Sequence, residues 1–149
     1  MLESNVRVLK TRFPVVYERI LAAGERSSDN FYYEQSDGTW RLMIQRGEYS
    51  FPAYGENKRD QLLKRWYNGL NLSKESLYAL TGFGDGTHVR HFLSESSAGT
   101  NCLIAEKDPA LLRETLTHYD CSDFLSDERC VLGVGELDDA FFNDIQGAA

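Results

Sequence analysis

Cysteine, proline and positive charge are all scarce in this chain of 149 residues. Its three cysteines, Cys102, Cys121 and Cys130, form no C-x-x-C pair, and their odd number does not suit a disulfide framework. We therefore expect buried free thiols and a cytoplasmic location. A structural zinc site needs four ligands, and His118 with Cys121 and Cys130 supplies three, so no metal is expected.

The shortage of basic residues excludes a second group of functions. The chain has 16 lysines and arginines against 23 acidic residues, which gives a net charge of −7. Binding nucleic acid without regard to sequence requires clustered lysines and arginines, and none occur here. No apolar run reaches the length of about 18 residues that a membrane span needs, and the N-terminus does not resemble a signal peptide. Neither nucleic acid nor a membrane is expected as a partner.

The most informative stretch runs from Leu77 to Glu106. An apolar strand, Leu77 to Leu80, leads through a glycine loop, Gly82 to Thr87, into a helix and then a second apolar strand, Cys102 to Ala105. Such a βαβ unit approaches anions and ribose groups with loop glycines, helix amides and an acid about 20 residues further on. The candidate cofactor-binding residues are therefore Gly82, Gly84, Asp85, Gly86, Thr87 and Glu106.

The same loop is also typical of a tight structural turn. A G-x-G-x-x-G motif needs a small residue where Thr87 stands. Asp85 places negative charge at the helix N-terminus, and no lysine or arginine of the loop offsets it. We therefore expect a turn that does not bind S-adenosylmethionine or a dinucleotide tightly. His88 and His91 are expected on one solvated face of the helix.

The remaining patterns divide the chain into three segments. Residues 1–29 are helical, with a break before Pro14, where a second helix is expected to begin. Residues 30–56 alternate in polarity around a turn at Ser36 to Gly38, which predicts a small antiparallel β-meander. Residues 57–149 are expected to form an αβ half-sheet that packs with the other segments as one domain.

That half-sheet contains three predicted parallel strands. They are Leu77 to Leu80, which is expected to be central, Cys102 to Ala105, and Cys130 to Val134. Asp108 and Pro109 are expected to begin the helix after the second strand. The fold class is therefore α/β, with a partial Rossmann-like, methyltransferase-like parallel sheet preceded by helices and a meander. Because half of a doubly wound sheet is missing, we expect a piece of a longer protein.

Three segments carry a resemblance to a known family. They read LYALTGFGDGTHVRHFL, CLIAEKDPALLRETL and CSDFLSDERCVLGVG. Their order resembles the N-terminal domain of motility accessory factor (Maf-type) proteins over about residues 30 to 136. Those proteins are bacterial flagellin glycosyltransferases that transfer nonulosonic sugars from nucleotide-activated donors. The main landmarks are the glycine loop, Glu106 with Asp108-Pro109, and the turn from Asp120 to Leu125.

The resemblance implies a role without chemistry of its own. In that family the transfer reaction is attributed to a central domain that follows, so the chain is expected to be a non-catalytic structural or interaction domain without a cofactor. Its implied partners are a downstream domain of the parent protein and flagellin or another protein acceptor. An S-adenosylmethionine-dependent methyltransferase-like domain or a nucleotide-binding domain is the alternative, and a pure docking module is a third.

Overall fold

The computed structural model describes residues 1–24, 30–53, 59–70, 72 and 76–148. Its helices are α1 (Glu3–Arg12), α2 (Pro14–Ala22), α3 (Arg59–Asn68), α4 (Thr87–Glu95), α5 (Pro109–His118), α6 (Ser122–Leu125) and α7 (Asp139–Ala148). Its strands are β1 (Phe31–Ser36), β2 (Thr39–Arg46), β3 (Tyr49–Pro52), β4 (Ser76–Thr81), β5 (Thr100–Glu106) and β6 (Cys130–Val134). The segment boundaries predicted at residues 29 and 56 lie outside the described residues. None of the described helices combines the length and the apolar character that crossing a bilayer requires.

The first two helices meet at the predicted break. Pro14 occupies the first turn of α2, where its missing amide proton costs no helical hydrogen bond. Leu9 and Ile20 are fully buried in the main core. The guanidinium group of Arg12 donates to the backbone carbonyl oxygen of Asp127, in the segment before β6, at 2.8 Å and to that of Cys130, the first residue of β6, at 3.1 Å. The helical pair is therefore packed onto the parallel sheet by apolar and polar contacts.

The predicted meander is present as an antiparallel sheet in the order β1-β2-β3. Asp37 and Gly38 both adopt positive φ angles, 51° and 76°, which is the backbone of a two-residue hairpin turn. Tyr33 lies opposite Leu42, and both side chains are buried against Leu111 of α5. The meander thus packs on the half-sheet through one helix.

The half-sheet is parallel, and its strand order is β4-β5-β6. The prediction that Leu77 to Leu80 would be central among these three strands is wrong, because β5 lies in the middle. Both crossovers move the chain by one strand in the same direction across the sheet, so the second of the three strands in the sequence is also the middle strand of the sheet. The α/β class and the partial Rossmann-like sheet are confirmed.

The two faces of the parallel sheet differ in how well they are covered. Cys102 and Ile104 of β5 are fully buried in one core with Val89 and Phe92 of α4. On the other face, Leu77 of β4 remains 69% exposed. Helix α7 lies on this second face but only over β6, where the Phe141 ring packs against Gly133. A Cβ added to Gly133 would lie 2.5 Å from this ring. We call the uncovered part the open face.

Candidate functional site

A cleft of about 1130 Å³ lies between the meander, α3 and the carboxyl ends of β4 and β5. The glycine loop and Glu106 line one side, and Trp66 of α3 lines another. In α/β proteins the crevice outside the carboxyl ends of the strands is where ligands bind. The structure therefore brings the six predicted residues together at this edge of the sheet, although they have different roles.

The three loop glycines illustrate that difference. Gly82, Gly84 and Gly86 all have positive φ angles, 86°, 54° and 79°, which favour glycine. A Cβ added to Gly82 meets nothing within 4 Å. A Cβ added to Gly86 lies 2.9 Å from the ring of Phe124 and 3.3 Å from the sulfur of Cys121. Gly86 is therefore required for packing against α6, whereas Gly82 and Gly84 are the ones that line the cleft.

Glu106 holds the glycine loop through its carboxylate. Its Oε2 accepts the backbone N–H of Phe83 at 2.7 Å, and its Oε1 accepts the backbone N–H of Asp108 at 2.9 Å. The side chain is buried and also lines the cleft. A carboxylate has about four lone-pair positions, so two remain after these bonds. Glu106 thus joins the loops after β4 and β5 while retaining acceptor capacity.

Asp85 and Thr87 are occupied by contacts within the protein. The carboxylate of Asp85 accepts the N–H of Thr87 at 2.9 Å and forms an ion pair with Arg59 of α3. Arg59 also donates to the Thr87 hydroxyl. The loop itself contains no cation because the arginine that compensates Asp85 lies 26 positions earlier in the sequence. The first turn of α4, where a phosphate would bind, therefore holds the protein's own carboxylate.

His88 is not the solvated residue that the sequence predicted. Its Nε2 donates to the carbonyl oxygen of Gly82 at 2.9 Å, and its ring contacts Trp66 edge-on with 5.9 Å between centroids. Because Nε2 carries the proton, Nδ1 presents a lone pair, and this buried atom has no hydrogen-bond partner among the described residues. Burial lowers the pKa of His88, partly opposed by the Gly82 carbonyl and Asp85. The ring of His91, the second histidine of α4, contacts the ring of Tyr67 edge-on.

Two residues that sequence reasoning missed hold the loop from the opposite side. The hydroxyl of Thr115 in α5 donates to the Gly84 carbonyl at 2.8 Å, and the Tyr33 hydroxyl lies 2.7 Å from the same Thr115 oxygen. Burial raises the pKa of Tyr33, which therefore stays protonated. The sequence signal for this contact was Thr115 itself, a polar residue within the apolar stripe of α5.

The cysteines take no part in the cleft. All three are buried and free, and burial raises the pKa of each thiol to about 12. Cys121 packs beneath Gly86, while Cys102 and Cys130 are register partners on β5 and β6. In the described part of the chain, no group of three or more His, Cys, Asp or Glu side chains is arranged to hold a metal ion.

Comparisons of this chain with protein-family models, with curated proteins and with solved structures found no match.

Proposed function

We propose that this chain is a non-catalytic structural and interaction domain of a Maf-type, motility-associated glycosyltransferase-like protein of the bacterial cytoplasm. In this proposal a downstream domain of the parent protein covers the open face of the parallel sheet. That domain carries out sugar transfer to flagellin or another protein acceptor.

The landmarks of the resemblance support this proposal because they contact one another. The glycine loop is joined by Glu106 to the segment that contains Asp108, and Asp108 caps α5 by accepting the N–H of Ala110 at 3.0 Å. The loop also packs, through Gly86, on Phe124 of the Asp120 to Leu125 turn. Residues far apart in the sequence thus form one structural unit, as expected of a pattern that specifies a fold.

The open face is the observation that carries the proposal. Parallel sheets almost always have both faces covered, yet Leu77 is 69% exposed here. On the far edge of β4, the described residues contribute no further strand. Helix α7 already lies on the same side of the sheet as the open face, as shown by the contact of Phe141 with Gly133.

The strand order supports a choice of what covers this surface in the proposal. In a doubly wound sheet of order 3-2-1-4, the chain crosses to the second face after strand three and then pairs with strand one. Here β4, β5 and β6 are strands one to three, and α7 makes that crossing. We therefore propose a parallel strand of the downstream domain beside β4, with its helix over Leu77.

The test measures association between this chain and the region encoded downstream. The two parts are purified separately, mixed, and analysed by size-exclusion chromatography with light scattering. We expect a complex that Leu77→Lys weakens, because a lysine on the covered face must be desolvated. Tyr49→Lys is the matched control, since Tyr49 is 78% exposed on the meander.

Two results would contradict the proposal. The first is the absence of a complex, or a complex that Tyr49→Lys disrupts and Leu77→Lys does not. The second is transfer of a nonulosonic sugar to flagellin by the purified 149-residue chain alone, measured by mass spectrometry of intact flagellin.

A further inference from the structure

The cleft beside the glycine loop has features that the proposed interaction role does not use. It lies at the carboxyl edge of β4 and β5, and its volume of about 1130 Å³ exceeds the roughly 300–1,000 Å³ of ordinary ligand pockets. Its walls are largely apolar, with Leu42 of the meander on one side and Leu63 and Trp66 of α3 on the other. An apolar cleft of this size admits a ligand with a flat, ring-shaped body.

Two buried polar groups in the wall of the cleft, Glu106 and His88, offer hydrogen-bond acceptors. The Glu106 carboxylate accepts two backbone amides and has lone pairs left for further donors. The Nδ1 atom of His88 is a buried acceptor without a partner among the described residues. A buried polar atom that lacks a partner is rare in a folded protein and calls for a water or a ligand. Both groups match hydroxyl or N–H donors.

The charges around the cleft are unfavourable for phosphate. Glu106, Asp108 and Glu136 belong to its lining, and the only cation that the described lining contributes is Lys107. The Lys107 ammonium lies 3.2 Å from the Glu136 carboxylate and is thereby compensated. Arg59, the nearby cation of α3, is paired with Asp85. Among the described residues, a phosphate group would meet these carboxylates without a free cation in the lining, and it would find the helix N-terminus already occupied by Asp85.

From these three observations we infer that the cleft binds a nucleoside without phosphate. The ribose hydroxyls donate to Glu106, the base packs against Trp66 and the leucines, and an N–H or O–H donor of the ligand reaches His88 Nδ1. Trp66 contacts the His88 ring edge-on, and both residues line the cleft. The inference does not depend on the proposed partner domain, because every group it uses belongs to this chain.

The test compares each of the four common ribonucleosides with its 5′-monophosphate. Binding to the purified chain is measured by isothermal titration calorimetry and by the change in tryptophan fluorescence in a Trp40→Phe background, where Trp66 is the remaining indole. We expect at least one nucleoside to bind, with the monophosphate of the same base binding at least about tenfold more weakly because of the carboxylates.

Two histidine variants on α4 test the role of Nδ1. His88→Gln keeps a donor for the Gly82 carbonyl but removes the Nδ1 acceptor, and it is expected to weaken nucleoside binding by about two- to tenfold. His91→Gln, the same change one turn further along, is the control and is expected to leave binding unchanged. Thermal unfolding of both variants verifies that they are folded.

Three results would each overturn the inference. They are the absence of binding by all four nucleosides at millimolar concentration, equal or tighter binding of the monophosphates, and unchanged affinity in His88→Gln. The association test for the downstream domain has a separate readout, so the failure of one proposal is distinguishable from the failure of the other.

Discussion

The two sheets of this protein are attached to the rest of the molecule in different ways. The parallel sheet is packed by apolar burial, with Cys102, Ile104 and Leu132 all inside one continuous core. The meander has a small buried cluster of Tyr33, Leu42 and Leu111. Directional contacts complete its attachment: the Tyr119 hydroxyl donates to the Trp40 carbonyl, and the Trp40 ring stacks on His118 at 3.7 Å.

The difference shows how each sheet depends on its neighbours. Apolar burial is non-directional and scales with area, so the parallel sheet relies on many side chains at once. The meander relies on a few hydrogen bonds and ring contacts to the C-terminal half of α5, each of modest net strength. We therefore expect a core truncation to cost more in the first sheet than in the second.

The largest expected effect contrasts one truncation in each sheet. Ile104→Ala removes a fully buried side chain and should lower the free energy of unfolding by about 4 kcal/mol. Leu42→Ala should cost about 2 kcal/mol, because Leu42 already borders the cleft and leaves a site open to solvent. Urea denaturation followed by circular dichroism measures both. Equal losses would show that the meander shares the main core.

The next contrast lies within the glycine loop. Gly86→Ala combines a left-handed backbone with a Cβ only 2.9 Å from Phe124, and we expect a loss of about 3 kcal/mol. Gly82→Ala has the same backbone strain, but its added Cβ meets nothing within 4 Å. Its cost should therefore be only about 1–2 kcal/mol. The same denaturation experiment separates packing from strain. A larger loss for Gly82→Ala would contradict the packing role of Gly86.

A third variant tests whether the parallel half also depends on a polar contact. Glu106→Gln replaces one carboxylate oxygen by an NH₂ group, so one of the two backbone N–H groups then faces a donor and loses its acceptor. We expect the free energy of unfolding to fall by about 2 kcal/mol. Hydrogen exchange at the amides of Phe83 and Asp108, the two donors to Glu106, should become faster. Glu136→Gln on the exposed rim is the control, with an expected change below about 0.5 kcal/mol. Unchanged hydrogen exchange at these two amides would show that Glu106 does not hold the loop.

A smaller effect is expected where the meander meets α5. Tyr33→Phe removes the hydroxyl that lies 2.7 Å from Thr115 and should cost about 1 kcal/mol. Amide exchange in β1 should accelerate while that of β5 stays the same. Tyr32→Phe, on the neighbouring strand position, is the control. Equal acceleration in β5 would mean that the two sheets unfold as one unit.

The smallest expected effect is a pH dependence from His88. Its folded pKa lies below the ordinary value of about 6.5, so the unfolded chain binds more protons as the pH falls through that value. Stability should therefore rise with pH from the folded pKa up to about 6.5 and level off above it. His88→Gln should flatten this part of the curve of urea midpoint against pH between 5 and 8, whereas His91→Gln should not. An unchanged slope in His88→Gln would assign the dependence to other groups.

The elements of the fold were largely predictable because their signals are local. Pro14 begins α2, Asp37-Gly38 turns the hairpin, and Asp108 with Pro109 begins α5, each as its residue type requires. These residues act on backbone angles and amides a few positions away. No long-range information is needed to recognise them.

The candidate site was predictable in its position but not in its contacts. Periodicity and glycines placed Gly82 to Thr87 and Glu106 at one edge of a sheet. The partner of Asp85 was missed because Arg59 reaches it from another helix, and His88 was misplaced because Trp66 of that same helix covers it. Burial of a polar side chain depends on what packs above it, which spacing within its own helix does not report.

The sequence by itself determined the α/β class and the bounds of the main helices and strands. It also determined that a glycine loop and an acid lie together at the carboxyl edge of the parallel sheet. These follow from backbone preferences and the alternation of polar and apolar residues, which act over short distances. Only the tertiary structure decided that β5 is central, that Glu106 and Asp85 bind groups of the protein itself, and that Leu77 lies on an open face. Those outcomes depend on which distant surfaces meet. The burial of a side chain, its protonation state and its remaining hydrogen-bonding capacity are set by neighbours from other elements.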